Sequence, residues 1–365
     1  MKEAARQQIA RLGAIDIEPA RPAPTAPALA LLLALDAWSE PEDLFAGLGR
    51  DADARAALAR TLVSLIDAGV IVVAETPEAA QDERFAEFWR WGAGAAHWFF
   101  GQKNPRFLQP EELEGVLAAQ LAAHPAPPLF VRHDERRDRI DLPPPTDDAF
   151  LQIARARRSS RAFDPGAAVP AGVVADCLHA GLAIVGVFDG SVAGEGELPL
   201  AMAPSGGGRH PYEGFLLARR VDGLEPGVYH YGSAEHSLVP VDGDGALDVA
   251  PLLGDQAWFA DAAAVIFLVA HFERTASKYT HPNALRVLLI EAGHIGQNVL
   301  LRACAHGLAA TPTGALADRR VEAALALDPV RQAAVYAIGL GRRAAPSDPS
   351  GVRATRASGP ARRGG

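Results

Sequence analysis

The stretch Pro204-Ser205-Gly206-Gly207-Gly208-Arg209-His210-Pro211, running into Tyr212-Glu213-Gly214-Phe215-Leu216-Leu217-Ala218, decides the fold. Consecutive glycines after a serine let the backbone approach a flat ligand closely and leave its amides free to donate. A Rossmann dinucleotide site is excluded. Its Gly-x-Gly-x-x-Gly spacing is absent, and a strand, Gly214 to Ala218, follows where that fingerprint requires a helix. Taken alone, the same loop is equally a flexible turn.

Outward from this loop, strand signals cover Val228 to Tyr231, Val265 to Ala270 and Ala333 to Ile338. Helical periodicity covers Phe150 to Ala156, Ala171 to Ala183 and Ala284 to Ala305. Asp147 to Arg343 therefore reads as a single α+β domain. Where the first helix ends, the chain enters Arg157-Arg158-Ser159-Ser160-Arg161, followed by Phe163 and Asp164. Guanidiniums at this density, with a hydroxyl between them, can hold a phosphate by forked hydrogen bonds. On spacing alone the run is also the charged end of a solvated helix.

Lys278-Tyr279 follows the strand at Val265 to Ala270. An ammonium beside a phenol favours the phenolate, so one of the pair can serve as a base near neutral pH, although adjacent Lys and Tyr are also common on surfaces. On the following helix, Glu291 and His294 share a face at the spacing of carboxylate-bridged metal bundles, but no second such pair is present and no metal is expected. Ala292, Gly293 and Gly296 predict close packing of that helix. Gly307 to Ala315 reads as a loop of small residues offering unhindered amides, and Gly339-Leu340-Gly341-Arg342-Arg343 ends a strand in a second basic pair.

The first half of the chain is different in character. Residues 25–80 read as three helices and a short β-branched strand, Val70 to Val73, the pattern of a small winged-helix-like module. It carries Arg50, Asp51, Asp53 and Arg55 without a basic recognition face, so peptide or partner binding, or simple packing, fits better than DNA. Phe85 to Phe100, with Trp89, Trp91, Trp98 and Phe99, reads as one aromatic amphipathic helix buried in an interdomain or dimer core, and His97 as a side chain that can face a pocket. Pro125 to Pro145 reads as an extended linker, completing a segment from 81 to 146. Residues 1–24 are an N-terminal extension, and 344–365 a tail expected to be disordered.

The 365 residues suffice for two domains, and 49% hydrophobic composition is ample for packed cores. A formal net charge of -9 argues against nucleic acid as a partner. Two cysteines, Cys177 and Cys304, do not make a disulfide framework or a zinc site. Neither a signal peptide nor a membrane span is read, so a cytoplasmic location is expected.

Each motif is weak alone, but their order along the chain is specific. Together they resemble the nitroreductase superfamily, and more closely its SagB-like branch, the azoline dehydrogenases that act on ribosomally made peptides. The resemblance covers 147–343. It implies a mostly antiparallel central sheet flanked by helices, and a homodimer with FMN sites between the subunits. Arg157, Arg158, Ser159 and Arg161, with Arg342 or Arg343, would hold the phosphate end. Ser205, Gly206 and Gly207 would approach the flavin, the backbone near Gly314 would face its reactive edge, and Lys278 and Tyr279 match the family's Lys-Tyr base. It further implies a thiazoline- or oxazoline-bearing peptide substrate and an associated cyclodehydratase. The chain departs from the usual pattern at Thr280-His281-Pro282-Asn283, where a turn rich in glycine and arginine is usual. An NAD(P)H-dependent reductase of nitroaromatics or quinones is the alternative on the same fold.

Overall fold

The computed structural model describes residues 26–35, 38–49, 51–68, 70–108, 110–124, 138, 140, 142–189, 196–242 and 248–344. The extension 1–24, most of the proline-rich linker and the tail beyond Ala344 lie outside the described residues. The N-terminal half is helical: α1 (Ala26–Ala34), α2 (Pro41–Leu48), α3 (Ala52–Asp67), α4 (Pro77–Phe88), α5 (Gly92–Phe100) and α6 (Pro110–Ala123). The second half begins with α7 (Ala149–Ala156), β1 (Val169–Pro170), α8 (Ala171–Leu182), β2 (Ile184–Asp189), β3 (Glu197–Ala201), β4 (Tyr212–Ala218), β5 (Val221–Asp222), β6 (Gly227–Gly232) and β7 (Ser237–Pro240). It ends with β8 (Ala264–His271), α9 (Phe272–Ala276), α10 (Asn283–Ala305), β9 (Ala309–Thr313), α11 (Asp318–Ala324) and β10 (Gln332–Gly341). No helix among the described residues is long and apolar enough to cross a membrane.

Six strands form one sheet in the order β7-β6-β4-β8-β10-β9, every neighbouring pair antiparallel. Strand β8 is central because both of its faces are apolar. Val265, Phe267 and Val269 enter one core cluster, and Ile266, Leu268 and Ala270 the other. All six are fully buried. Each large side chain so placed contributes about 1.5–3 kcal/mol relative to exposure.

One face of the sheet is covered by α8 and α10, the other by α11 and the two 3-10 turns Ala250–Leu252 and Ala257–Asp261. The Tyr212 hydroxyl donates to the Leu288 carbonyl at 2.8 Å, tying the start of β4 to α10. Gly296 admits the Tyr336 ring of β10, since a Cβ there would stand 2.5 Å from Cε1. The small residues of α10 thus serve helix-on-sheet packing. Helix α10 stops at Gly307, φ +70°, where the Leu308 amide bonds the Ala303 carbonyl and the Gly307 amide bonds that of Cys304, a glycine-dependent cap.

Four expectations from sequence are corrected. Phe85 to Phe100 is not one helix: α4 ends at Phe88 and α5 begins at Gly92, φ +77°, with the Trp89 indole closing the corner onto the Gly92 carbonyl at 2.8 Å. His97 lies on the exposed side of α5 rather than in a pocket. Val70 to Val73 forms no strand. Helices α1 to α3 of the expected module pack around Leu31, Leu58 and Leu62, with Ile71 against them, but no described strand pairs with this segment. The small-residue loop after α10 is largely strand β9 at the sheet edge, where Pro312, lacking an N–H, is tolerated.

Bare backbone at the end of β10 sets the next layer. A Cβ on Gly339 would stand 2.7 Å from the Phe259 ring, and one on Gly341 would stand 2.9 Å from the ring of Phe163. Both phenylalanines are buried, so neither ring can turn away. Gly339→Ala is expected to destabilise the chain by about 1–3 kcal/mol through overpacking, measured by equilibrium denaturation; an unchanged midpoint would show that the rings have room.

Candidate active site

The glycine loop is held from beneath by α10. Gly206–Gly208 forms one 3-10 turn, with Gly207 at φ +62° and Gly208 at φ +66°, where other residues are strained. The buried Glu291 carboxylate accepts the Gly206 amide at 2.7 Å and the Ser205 hydroxyl, and that hydroxyl accepts the His210 amide at 2.9 Å. The Ser205 side chain therefore closes its own loop. Burial raises the Glu291 carboxyl above the usual range, opposed by the bonds from Gly206 and Ser205. Behind the loop lies a cavity of about 220 Å³, lined by Leu182, Pro199, Ser205, His210, Arg274 and Glu291 among others.

Lys278 and Tyr279 meet the front of this loop. Strand β8 runs directly into α9, and the turn after it bonds the Lys278 and Tyr279 amides to the Thr275 carbonyl at 3.2 and 2.9 Å. A Cβ at Gly207 would stand 2.5 Å from the Tyr279 hydroxyl and 3.1 Å from Lys278 Cδ, so a second reason for glycine is room for this pair. The Lys278 ammonium stands 5.8 Å from the centre of the Tyr279 ring. Both side chains are exposed. On the inner side, the Trp91 indole N–H donates to the Tyr279 carbonyl at 2.7 Å.

The arginines gather elsewhere. The segment after α7 crosses the β9 edge: the Ser160 amide bonds the Ala310 carbonyl at 2.9 Å, the Asp164 amide bonds that of Arg342 at 2.9 Å, and Phe163 bridges Arg343. Two basic runs nearly two hundred residues apart in sequence thereby share one end of the sheet. Their parts differ. Arg161 lies over the Trp258 ring at 4.6 Å, and Arg158 turns back onto the carbonyls of Arg155 and Arg157 at 2.5 and 2.7 Å, capping α7. Arg157 stands near Tyr336, whose phenol is raised by burial and lowered by the Arg157 charge. Gly314 is exposed just beyond β9, with open space where a side chain would be.

Arginine end and Lys-Tyr end do not meet within this chain. Leu340, next to the arginines, pairs with Ala264, whereas Lys278 follows His271, which pairs with Gln332. The seven steps of β8 between these pairs span roughly 23 Å at about 3.3 Å per residue.

Sequence reading missed two supports of the site. In sequence Glu291 pairs by spacing with His294, but His294 is exposed while Glu291 is buried against the glycine loop. Trp91 lies outside the domain that carries the motifs. A buried indole requires an acceptor, which is the signal that was available.

The nitroreductase family model matches residues 154–342, just over half of the chain. The chain belongs to the nitroreductase family. It is 34% identical to nitroreductase MJ1384 of Methanocaldococcus jannaschii over 119 residues, 32% of this chain and 60% of that protein. It is 31% identical to the trifolitoxin-processing protein TfxB of Rhizobium leguminosarum bv. trifolii over 147 residues, 39% of each. The chain thus spans less than two thirds of either relative. Among solved structures, the E. coli microcin synthetase McbBCD complex with truncated pro-MccB17 bound contains a chain 19% identical, with a TM-score of 0.44, covering 66% of this chain and 96% of that one.

The residues present fit FMN. The exposed Arg161, Arg342, Arg343 and Ser159 offer the donor set a phosphate needs, Gly314 leaves backbone uncovered, and the glycine turn carries no side chain of its own to block a planar ring system.

Because Glu291 binds its proton more tightly in the folded chain than in the unfolded one, its contribution to stability is fullest below the ordinary glutamate range. It declines as pH rises through that range toward the raised value. Glu291→Gln keeps an acceptor for Gly206 and removes the buried charge. Its denaturation midpoint is expected to match or exceed the parent's at neutral pH, the advantage shrinking as pH falls below the carboxylate range. A variant clearly weaker at neutral pH would mean that the charge-assisted bonds outweigh burial.

Proposed function

We propose that the chain is an FMN-dependent dehydrogenase that oxidises thiazoline or oxazoline rings to azoles in a modified peptide. The carrying observation is the contact of Lys278 and Tyr279 with Gly207. A proton-accepting pair stands directly beside the open backbone proposed to lie along the flavin. The likeness to a trifolitoxin-processing protein supports the same reading.

Arg157, Ser159, Arg161 and Arg342 or Arg343 would hold the FMN phosphate, and Ser205 to Gly207 with Gly314 would line its ring system. Bound FMN supplies the two-electron acceptor that ring dehydrogenation requires. Lys278 Nζ or the Tyr279 oxygen takes the acidic ring proton α to the carbonyl, and aromatisation favours the forward direction. Arg158 is assigned to capping α7 rather than to the phosphate.

The separation of about 23 Å between the arginine end and the Lys-Tyr end supports a homodimer in which each FMN is lined by both chains. Apolar surface is available for such contact: Val287 and Ile290 on α10, and Val185, Val187 and Leu200 on the β2-β3 hairpin, are all exposed.

The purified protein is expected to be yellow and dimeric by sizing. Lys278→Ala and Tyr279→Phe should lower oxidation of a thiazoline peptide by about 100-fold or more while FMN content stays constant. Parental rates in both variants would remove the assigned base. Rapid bleaching by NAD(P)H without any peptide would favour a small-molecule reductase instead. Replacing Arg161 and Arg342 together by Ala should release FMN on dilution, and more readily at high salt; retained colour would move the phosphate site elsewhere.

A further inference from the structure

We propose that Trp91, outside the flavin-binding domain, is a positioning residue for the Lys278–Tyr279 pair: its indole N–H, bonded to the Tyr279 carbonyl, fixes the turn that presents both side chains to Gly207. The assignment of a catalytic role to that turn rests on the dehydrogenase reading above.

The other bonds that hold the turn are local: the Ser277 amide and hydroxyl donate to the Glu273 and Arg274 carbonyls at 2.8 Å, and the Ala284 amide donates to the His281 carbonyl at 3.0 Å. Residues 277–281 are exposed, and the Lys278 and Tyr279 amides share one acceptor, the Thr275 carbonyl. By contrast, Trp91 is only 1% exposed, and its N–H reaches Tyr279 across 188 residues of sequence. A buried indole N–H left without an acceptor costs about 1–3 kcal/mol, so this bond constrains both partners.

The Trp91 ring is itself caged. It meets Trp89 edge-on at 5.3 Å and Phe272 at 6.0 Å, and Phe272 also takes edge contacts from Trp89, Phe99 and Phe100. Phe272 opens α9, the five-residue helix that leads into the turn. Aromatic side chains from the N-terminal half therefore clamp α9 at its start, and Trp91 clamps the turn at its end.

The segment that carries Trp91 is fixed at several other points. Arg84 pairs with Asp328, Arg331 lies over the Phe88 ring at 4.3 Å, Lys103 pairs with Glu322 at 2.5 Å, and the Asn104 amide bonds Asp318 at 2.8 Å. Trp91 is thus an anchor held in place independently of the turn it grips.

The test uses the full-length, FMN-loaded protein carrying Trp91→Phe, which keeps a large aromatic ring and removes the donor. Two readouts are taken together: amide hydrogen exchange, and steady-state oxidation of a thiazoline peptide. Exchange at Lys278 to His281 should rise about tenfold while β8 keeps its protection. The kcat should fall about tenfold with KM and FMN content unchanged, a change of about 1.4 kcal/mol in the barrier. Adding Trp91→Phe to Tyr279→Phe should lower kcat little further, because the indole acts through the pair. Unchanged exchange in the turn, exchange rising equally in β8, or a parental kcat in an active preparation each overturn the proposal. If the parent protein oxidises no azoline, the dehydrogenase reading fails, and local exchange still reports whether Trp91 holds the turn.

Discussion

The contact on which the site depends is that of the Phe163 ring with the uncovered backbone of Gly341, beside Gly339 under Phe259. With side chains at these two strand positions, the rings could not lie flat against the sheet. The polypeptide after α7 would then lose its seat across β9 and the end of β10. That seat is what carries Arg157 to Arg161 to the same end as Arg342 and Arg343. Mutually repelling guanidiniums do not gather by themselves. Apolar packing of about 1.5–3 kcal/mol per buried ring holds them together, ready for an anion that makes the arrangement favourable.

At the other end of the sheet the organising group is a buried charge. Glu291 is desolvated on α10 and answers with two hydrogen bonds, both into the glycine loop. The loop therefore keeps its left-handed turn without side chains of its own, and Lys278 and Tyr279 can stand directly against Gly207. One end of the sheet is built from cations on an aromatic foundation, the other from bare backbone on an anionic one. In the proposed dimer the first would take a phosphate and the second a flat heterocycle.

Much of this was legible in the residues. The strands at Gly214 to Ala218 and Val265 to Ala270 announce themselves by continuous apolar runs, and α10 by its period. Strand β9 was not legible, because Ala-Ala-Thr-Pro-Thr has no apolar run and a proline that only an edge position excuses. The corner at Trp89 to Trp91 was hidden because aromatic residues persist through it: the first helix ends at Phe88 with Trp89 already extended, and Gly92, at positive φ, starts the next one in a new direction. The site's motifs could be read in order, but neither the grip of Trp91 on Tyr279 nor that of Glu291 on Gly206 has a local signature. Both are bonds between distant segments, and only the folded chain pairs them.

The path of the segment from Pro77 to Leu108 has a practical meaning for where this protein can be cut. Composition invites excision at the proline-rich stretch near Pro145, leaving a tidy flavin domain. Such a fragment would lose Trp91, Phe99, Phe100 and Lys103 and bare the faces of Phe272, Val330 and Glu322 that they cover. The natural seam lies nearer Thr76, the cap of α4. In modular terms the aromatic segment belongs with the family domain, and among the described residues the three small helices before it are the candidates for a separable, exchangeable part.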